Sequence, residues 1–195
     1  CAKTATLFNY CKPTIDKIAS RSYVDAKSLR HPIIERIQDY LEYVPNDLSL
    51  GKEETGILLY GVNASGKSSL MKSIGINIIM AQAGMYVSAS SFDFFPYNSI
   101  FTRIHNNDNI FKGKSSFAVE MDELLSILKR SNKNSLVLGD ELCSGTENTS
   151  ALAIFTASVV ELSKKNTNFI FATHLHKLCD LKWIQELNNI TPYHL

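Results

Sequence analysis

Between Gly61 and Ser69 the chain reads Gly-Val-Asn-Ala-Ser-Gly-Lys-Ser-Ser. Two glycines five residues apart let a backbone wrap tightly and turn successive N–H groups inward, and a lysine and two hydroxyls follow the second glycine. That order of residue types makes a cradle for a polyphosphate. Lys67 would reach the β and γ phosphates, and Ser68 would offer its hydroxyl to Mg²⁺. A helix opening near Gly66 would add the positive end of its dipole.

A second set of groups lies some seventy residues on. Ser135-Leu136-Val137-Leu138-Gly139 is an apolar run ending in Asp140-Glu141. In a parallel sheet the carboxyl ends of the strands open onto the ligand crevice. Asp140 placed there would hold Mg²⁺, directly or through water, and Glu141 would orient or deprotonate an attacking water. An acidic pair at a strand end is ordinary loop chemistry by itself, but downstream of a phosphate cradle it completes a hydrolytic site. Asn168–Ala172 is another buried run, and it delivers Thr173-His174. A lone histidine is more often structural than catalytic; at this edge His174 reads as a sensor of the γ-phosphate or the water.

These groups need a scaffold. Gly56–Tyr60 has strand length and empties into the cradle, preceded by the polar turn Lys52–Thr55. Leu70, Met71, Ile74 and Ile78 then mark a helix face that Ile76, Ile79 and Met80 widen until the helix is largely buried, with Gly84 ending it. Leu29–Leu41 has near-helical spacing, with Pro32 in its first turn, and Glu42–Asp47 reads as loop. Tyr86–Ala89 reads as a short strand, Phe92–Tyr97 as an aromatic cluster packed under a loop, and Ser99–Arg103 as extended chain. After the polar stretch Asn106–Lys114, a helix from Ser115-Ser116 to Arg130 would bury Val119 or Met121, Leu124, Leu125 and Leu128. Ala151–Leu162 is apolar nearly all round, which predicts a buried helix. In residues 1–19 helical and turn signals mix, and Pro13 stops any helix before it.

Composition narrows the class. With 195 residues, 45% hydrophobic and 20% charged, the chain fits one domain with a real core. A net charge of +1 gives no general basic field for a nucleic-acid backbone. Cys1, Cys11, Cys143 and Cys179 show no zinc spacing, and free thiols in a reducing, intracellular compartment are the expectation. The longest apolar stretch, Ile74–Val87, is interrupted by Gly75, Asn77, Gln82 and Gly84, so no membrane partner is expected. Cys1 in place of an initiator methionine suggests a piece of a longer protein.

Taken in order, Gly61–Ser69, Ser115-Ser116-Phe117-Ala118-Val119-Glu120-Met121, Leu138–Glu141, Gly145-Thr146 and Phe171–His174 resemble the ATPase domain, the C-terminal domain V, of the MutS family of DNA mismatch-repair proteins. Ile100–Ile104, Arg30–Glu35 and Asn9–Pro13 extend the likeness, which covers the chain from about Leu7 onward.

The resemblance implies an α/β fold of the ABC-type P-loop NTPase kind, with a mostly parallel central sheet flanked by helices. It implies one ATPase domain over residues 1–195, in which 1–19 end a connecting helical region and 20–195 form the nucleotide-binding core. ATP and Mg²⁺ are the implied ligands. Gly61, Asn63, Ala64, Ser65, Gly66, Lys67, Ser68 and Ser69 match the family's phosphate loop, and Tyr43 matches an aromatic that stacks on adenine. Gly113, Ser115 and Ser116 match a loop that completes the nucleotide site of a partner in trans. The partner is then a second MutS-like ATPase domain, identical or paralogous, with DNA bound by N-terminal domains of the parent. A further strand is expected near Asn188–Leu195. Val62 replaces a usual Pro, Ala64-Ser65 a Met-Gly pair, and Leu142-Cys143-Ser144 a Gly-Arg run, which is similar to a divergent branch of viral and organellar members. The other readings are an ABC-type ATPase of another DNA-associated or transport machine, and a binding module without turnover. Leu-Ser-Gly-Gly does not occur, against the former; both Asp140 and Glu141 are present, against the latter.

Overall fold

The computed structural model describes residues 2–37, 43–62, 65–104, 116–143, 146–174 and 182–195. In chain order the elements are α1 (Ala2–Leu7), β1 (Thr14–Ile15), β2 (Tyr23–Leu29), α2 (Ile34–Ile37), β3 (Asn46–Leu50), β4 (Gly56–Tyr60), α3 (Lys67–Gln82), β5 (Ser91–Phe95), β6 (Ser99–Arg103), α4 (Ser116–Arg130), β7 (Ser135–Asp140), α5 (Asn148–Lys164), β8 (Asn168–Ala172), α6 (Lys182–Gln185) and β9 (Ile190–His194).

The larger sheet runs β6-β7-β8-β4-β9, and every neighbouring pair in it is parallel. The runs Ile57–Tyr60, Leu136–Leu138 and Phe169–Ala172 of its central strands are apolar because both faces are covered. Ile57, Leu59, Leu136, Leu138, Ile170 and Ala172 point into one core with α3 and the smaller sheet. Leu58, Tyr60, Val137, Phe169 and Phe171 point into the other, against Leu124 and Ile127 of α4, Phe155, Val159 and Leu162 of α5, and Ile184 of α6. Adjacent residues therefore serve opposite layers, as a period of two demands. The α/β fold with helices flanking a parallel sheet is the expected one, and β9 supplies the strand expected near the C-terminal residues.

The smaller sheet, ordered β1-β5-β2-β3, corrects several sequence readings. Phe92 and Phe94 are buried as expected, but on β5 and not under a loop. Leu29 ends β2, and among the described residues of its supposed helix only Ile34–Ile37 are helical. Asn46 and Asp47, read as loop, begin β3. Tyr86–Ala89 forms a single bridge, Val87 to Cys11, in place of a strand.

The helix faces also differ in detail. On α3 Ile79 is exposed, and Ser73 and Asn77 are buried in its stead. Both polar groups are bonded: Asn77 Nδ2 donates to the Arg30 and Ser73 carbonyls and its Oδ1 accepts from Ser88. On α4 Leu125 is half exposed, while Glu120, Leu124 and Ile127 are buried. On α5 Ala151, Phe155, Ser158, Val159, Leu162 and Ser163 are buried and Leu152 and Ile154 partly so, while Ala153 and Ala157 are exposed. Cys11 and Cys143 are free thiols as expected; Cys1 and Cys179 lie outside the described residues. No described helix is long and apolar enough to cross a membrane.

His31 closes the open end of α2. Its buried ring accepts the N–H groups of Ile33 and Ile34 at Nδ1, at 3.2 and 3.3 Å. Burial, helped by the nearby Lys72 ammonium, holds its pKa below the ordinary 6.5. The unfolded chain therefore takes up this proton first as pH falls. The stability His31 contributes is complete above 6.5 and declines as pH drops through the lowered native value. Between about pH 7.5 and about pH 5.5, wild type should lose more melting temperature than His31→Asn, whose amide caps the turn without titrating. Equal losses would remove His31 from the acid response.

Candidate active site

Register brings the chemical groups to one edge. Asp140 pairs with Ala172, and Ala172 pairs with Leu59, so the ends of β7, β8 and β4 lie level. The residues that follow these ends are Glu141, Thr173-His174 and the segment from Gly61. Thr173 N–H still bonds to the Leu59 carbonyl at 3.1 Å, which fixes the exit of β8 against that of β4.

The loop after β4 has the backbone of a wrapped cradle. Gly66 enters α3 at φ +101°, a left-handed conformation that L side chains rarely adopt, and α3 has no side-chain cap. A Cβ on Gly61 would lie 2.7 Å from Ser65 Oγ and 2.9 Å from the Leu195 carbonyl oxygen. Ser65 Oγ is buried and has no hydrogen-bond partner among the described residues. Lys67, only 6% exposed, folds its ammonium onto the carbonyls of Gly61 and Val62 at 2.8 and 2.9 Å. Ser68 and Ser69 sit half-buried in the first turn of α3, where helical N–H groups have no partner within the helix. Uncapped N–H groups, an orphaned hydroxyl and a held ammonium are the donor set a phosphate needs. Asn63 and Ala64 lie outside the described residues, as do Gly113, Ser115 and Gly145.

Asp140 closes β7 half-buried. Glu141 then turns left-handed at φ +49° while its N–H bonds to the Ala172 carbonyl at 3.0 Å. Its Oε1 lies 2.7 Å from His174 Nε2. The predicted carboxylate and histidine are thus in direct contact across two strand exits, an arrangement no spacing in the sequence could have specified. Among the described residues no group of three or more His, Cys, Asp and Glu side chains could hold a metal. Tyr43 is tied to α3 by its hydroxyl, 3.2 Å from Ser73 Oγ, which in turn donates to the Ser69 carbonyl at 2.7 Å.

Glu120 entered the sequence reading only as part of the Ser115–Met121 motif, with no role given to it. Its carboxylate accepts the Cys143 N–H at 2.8 Å, and both residues are buried. The Cys143 thiol is pushed up to about 11, first by burial and then by the Glu120 charge, which makes it a poor nucleophile. A signal was available: Phe117, Glu120, Leu124 and Ile127 recur at helical spacing, so a carboxylate stands in an apolar stripe.

A family model described as MutS domain V matches residues 57–195, from the strand before the cradle to the last residue. The chain belongs to the MutS family. It is 43% identical, over its whole length, to a MutS-homologue DNA mismatch repair protein of Acanthamoeba polyphaga mimivirus, of which the match covers 20%. It is 44% identical over 92% of its length to the mitochondrial DNA mismatch repair MutS homologue of Sarcophyton glaucum, covering 18% of that protein. Identity to the DNA mismatch repair protein MutS of Staphylococcus haemolyticus is 36% over the whole chain and 22% of the relative. The chain thus spans about a fifth of the length of these MutS relatives. The higher identities to viral and mitochondrial members fit the divergent branch expected from Val62, Ala64-Ser65 and Leu142–Ser144.

Proposed function

We propose that residues 1–195 form a single ABC-type P-loop ATPase module, the part of a MutS-type DNA mismatch-repair protein that binds and hydrolyses ATP. In this reading residues 1–19 end a connecting region and 20–195 carry the nucleotide core. The observation that supports it most is the 2.7 Å contact of Glu141 with His174 at the sheet edge where the Gly61–Ser69 loop also opens.

Each residue then has a task. Loop N–H groups from Gly61 through Ser69, including those of Asn63, Ala64 and Ser65, seat the phosphates, and Lys67 swings its ammonium from the loop carbonyls to them. Tyr43 stacks on the base. Ser68 and Asp140 would hold Mg²⁺, which would supply charge neutralisation at the phosphate oxygens. Glu141 orients the water and takes its proton as the oxygen attacks the γ-phosphorus and ADP leaves. His174 fixes the direction of that carboxylate and senses the γ-phosphate. Ser115, with Gly113 and Ser116, completes the site of a second MutS-like ATPase domain, identical or paralogous. ATP binding would shift the population of dimer conformations, and with it the state of DNA held elsewhere in the parent. The setting is intracellular.

The test is steady-state Mg-ATP hydrolysis by the full-length parent, with and without a mismatched duplex. Turnover that changes with the mismatch and disappears in Glu141→Ala is the expected result. Turnover indifferent to DNA would break the link to repair, and turnover indifferent to Glu141→Ala would break the site assignment.

A further inference from the structure

The carboxylate of Glu120 is costly where it stands. It is 5% exposed, on the face that α4 turns to the sheet, and a polar group removed from water destabilises the fold unless it is bonded. It accepts the Cys143 N–H at 2.8 Å, two residues beyond Glu141. Packing alone does not call for a carboxylate in this stripe, since an apolar side chain of similar volume would fill it without desolvating a charge.

The turn it holds is itself under strain. Glu141 at φ +49° and Cys143 at φ +65° are both left-handed without being glycine, and each costs about 1 kcal/mol or more. Such a backbone persists only where its surroundings fix it. Glu141 has two ties to the β8 side, its N–H to the Ala172 carbonyl and its Oε1 to His174. The tie to the opposite side comes from Glu120 on α4.

We propose that Glu120 is a positioning residue that acts through the Cys143 amide to hold the turn aiming Glu141 at the reacting water. The inference rests on the reading of Glu141 as the water-activating group. It also gives that carboxylate a mechanical link to α4. Because α4 starts at Ser116, a shift of this helix passes through the Glu120 bond into the turn that carries Glu141.

Three variants of the full-length parent test it by kcat and KM for Mg-ATP together with thermal melting. Glu120→Gln keeps an acceptor oxygen in the same shape and should stay within about threefold of wild type. Glu120→Ala removes the acceptor, and kcat should fall about tenfold or more while KM stays within about twofold, because the phosphate contacts lie on α3. Glu120→Leu keeps the stripe packed and should reproduce the kcat loss even if the alanine variant folds poorly. A leucine variant with wild-type kcat overturns the inference, as does a glutamine variant as slow as leucine, or a parallel loss of kcat and melting temperature in all three. Should Glu141→Ala leave turnover unchanged, the assignment of Glu141 to water activation falls and this inference with it. A parent stopped by Glu141→Ala but indifferent to Glu120→Leu overturns this inference alone.

Discussion

Lys67→Ala is expected to weaken ATP binding about a hundredfold or more while the protein stays folded. The Lys67 ammonium is the one side-chain charge the phosphate loop carries. Its two bonds to the Gly61 and Val62 carbonyls show that it can be desolvated and held at the mouth of the loop. Transferred to phosphate oxygens these bonds join opposite charges, and a net gain of about 3 kcal/mol is already a hundredfold in Kd. The fold should tolerate the loss. Gly61 is half-buried and Val62 exposed, so water can take the place of the ammonium on their carbonyls. Calorimetric titration of the full-length parent measures this directly, with melting temperature as the control. Unchanged affinity would show that Gly61–Ser69 does not hold the phosphates.

The parts legible in the sequence are those whose signals are local. β4, β7 and β8 carry the unbroken apolar runs Ile57–Tyr60, Leu136–Leu138 and Phe169–Ala172 because a parallel sheet covered on both faces leaves no polar side to alternate with. The tight turn of the Gly61–Ser69 loop is legible because its glycines act through backbone shape, Gly61 at φ +156° and Gly66 at φ +101°. The smaller sheet was less visible. β2 buries Val24 and Ala26 and turns Asp25 and Lys27 outward, so its alternation is sound but only four residues long, and Ser28 then breaks it with φ +48°. β3 carries one alternating set, Leu48 and Leu50, behind the turn-like Pro45-Asn46-Asp47, and it is a strand because β2 pairs with it.

Long-range contacts explain the remaining misses. Leu125 on α4 and Ile79 on α3 are apolar residues at plausible helical spacing that face outward. Glu120, Ser73 and Asn77 face inward because each finds a hydrogen-bond partner, Cys143 N–H, the Ser69 carbonyl and Ser88 respectively. A hydrophobicity pattern counts such residues as surface. What reverses the assignment is a hydrogen bond to a segment distant in sequence, or to the helix's own backbone. The Glu141–His174 contact has the same origin, since parallel register and two loop exits bring together residues thirty-three positions apart.

The variant Glu141→Ala should behave in the opposite way to Lys67→Ala. Its side chain is held by His174 at the neighbouring β8 exit, whereas the phosphate donors belong to the segment between β4 and α3, so nucleotide binding should persist. Hydrolysis should slow by about a hundredfold to ten-thousandfold, the range expected when a positioned general base is removed. With binding intact and turnover blocked, the ATP-bound dimer should accumulate. Equilibrium titration gives the first quantity, single-turnover hydrolysis the second, and sedimentation with Mg-ATP the third. The pair of variants separates two kinds of contribution. Lys67 would bind ground state and transition state alike, whereas Glu141 would act only once the water begins to attack. A Glu141→Ala protein that turns over ATP at the wild-type rate would remove Glu141 from water activation and leave its bond to His174 a structural one.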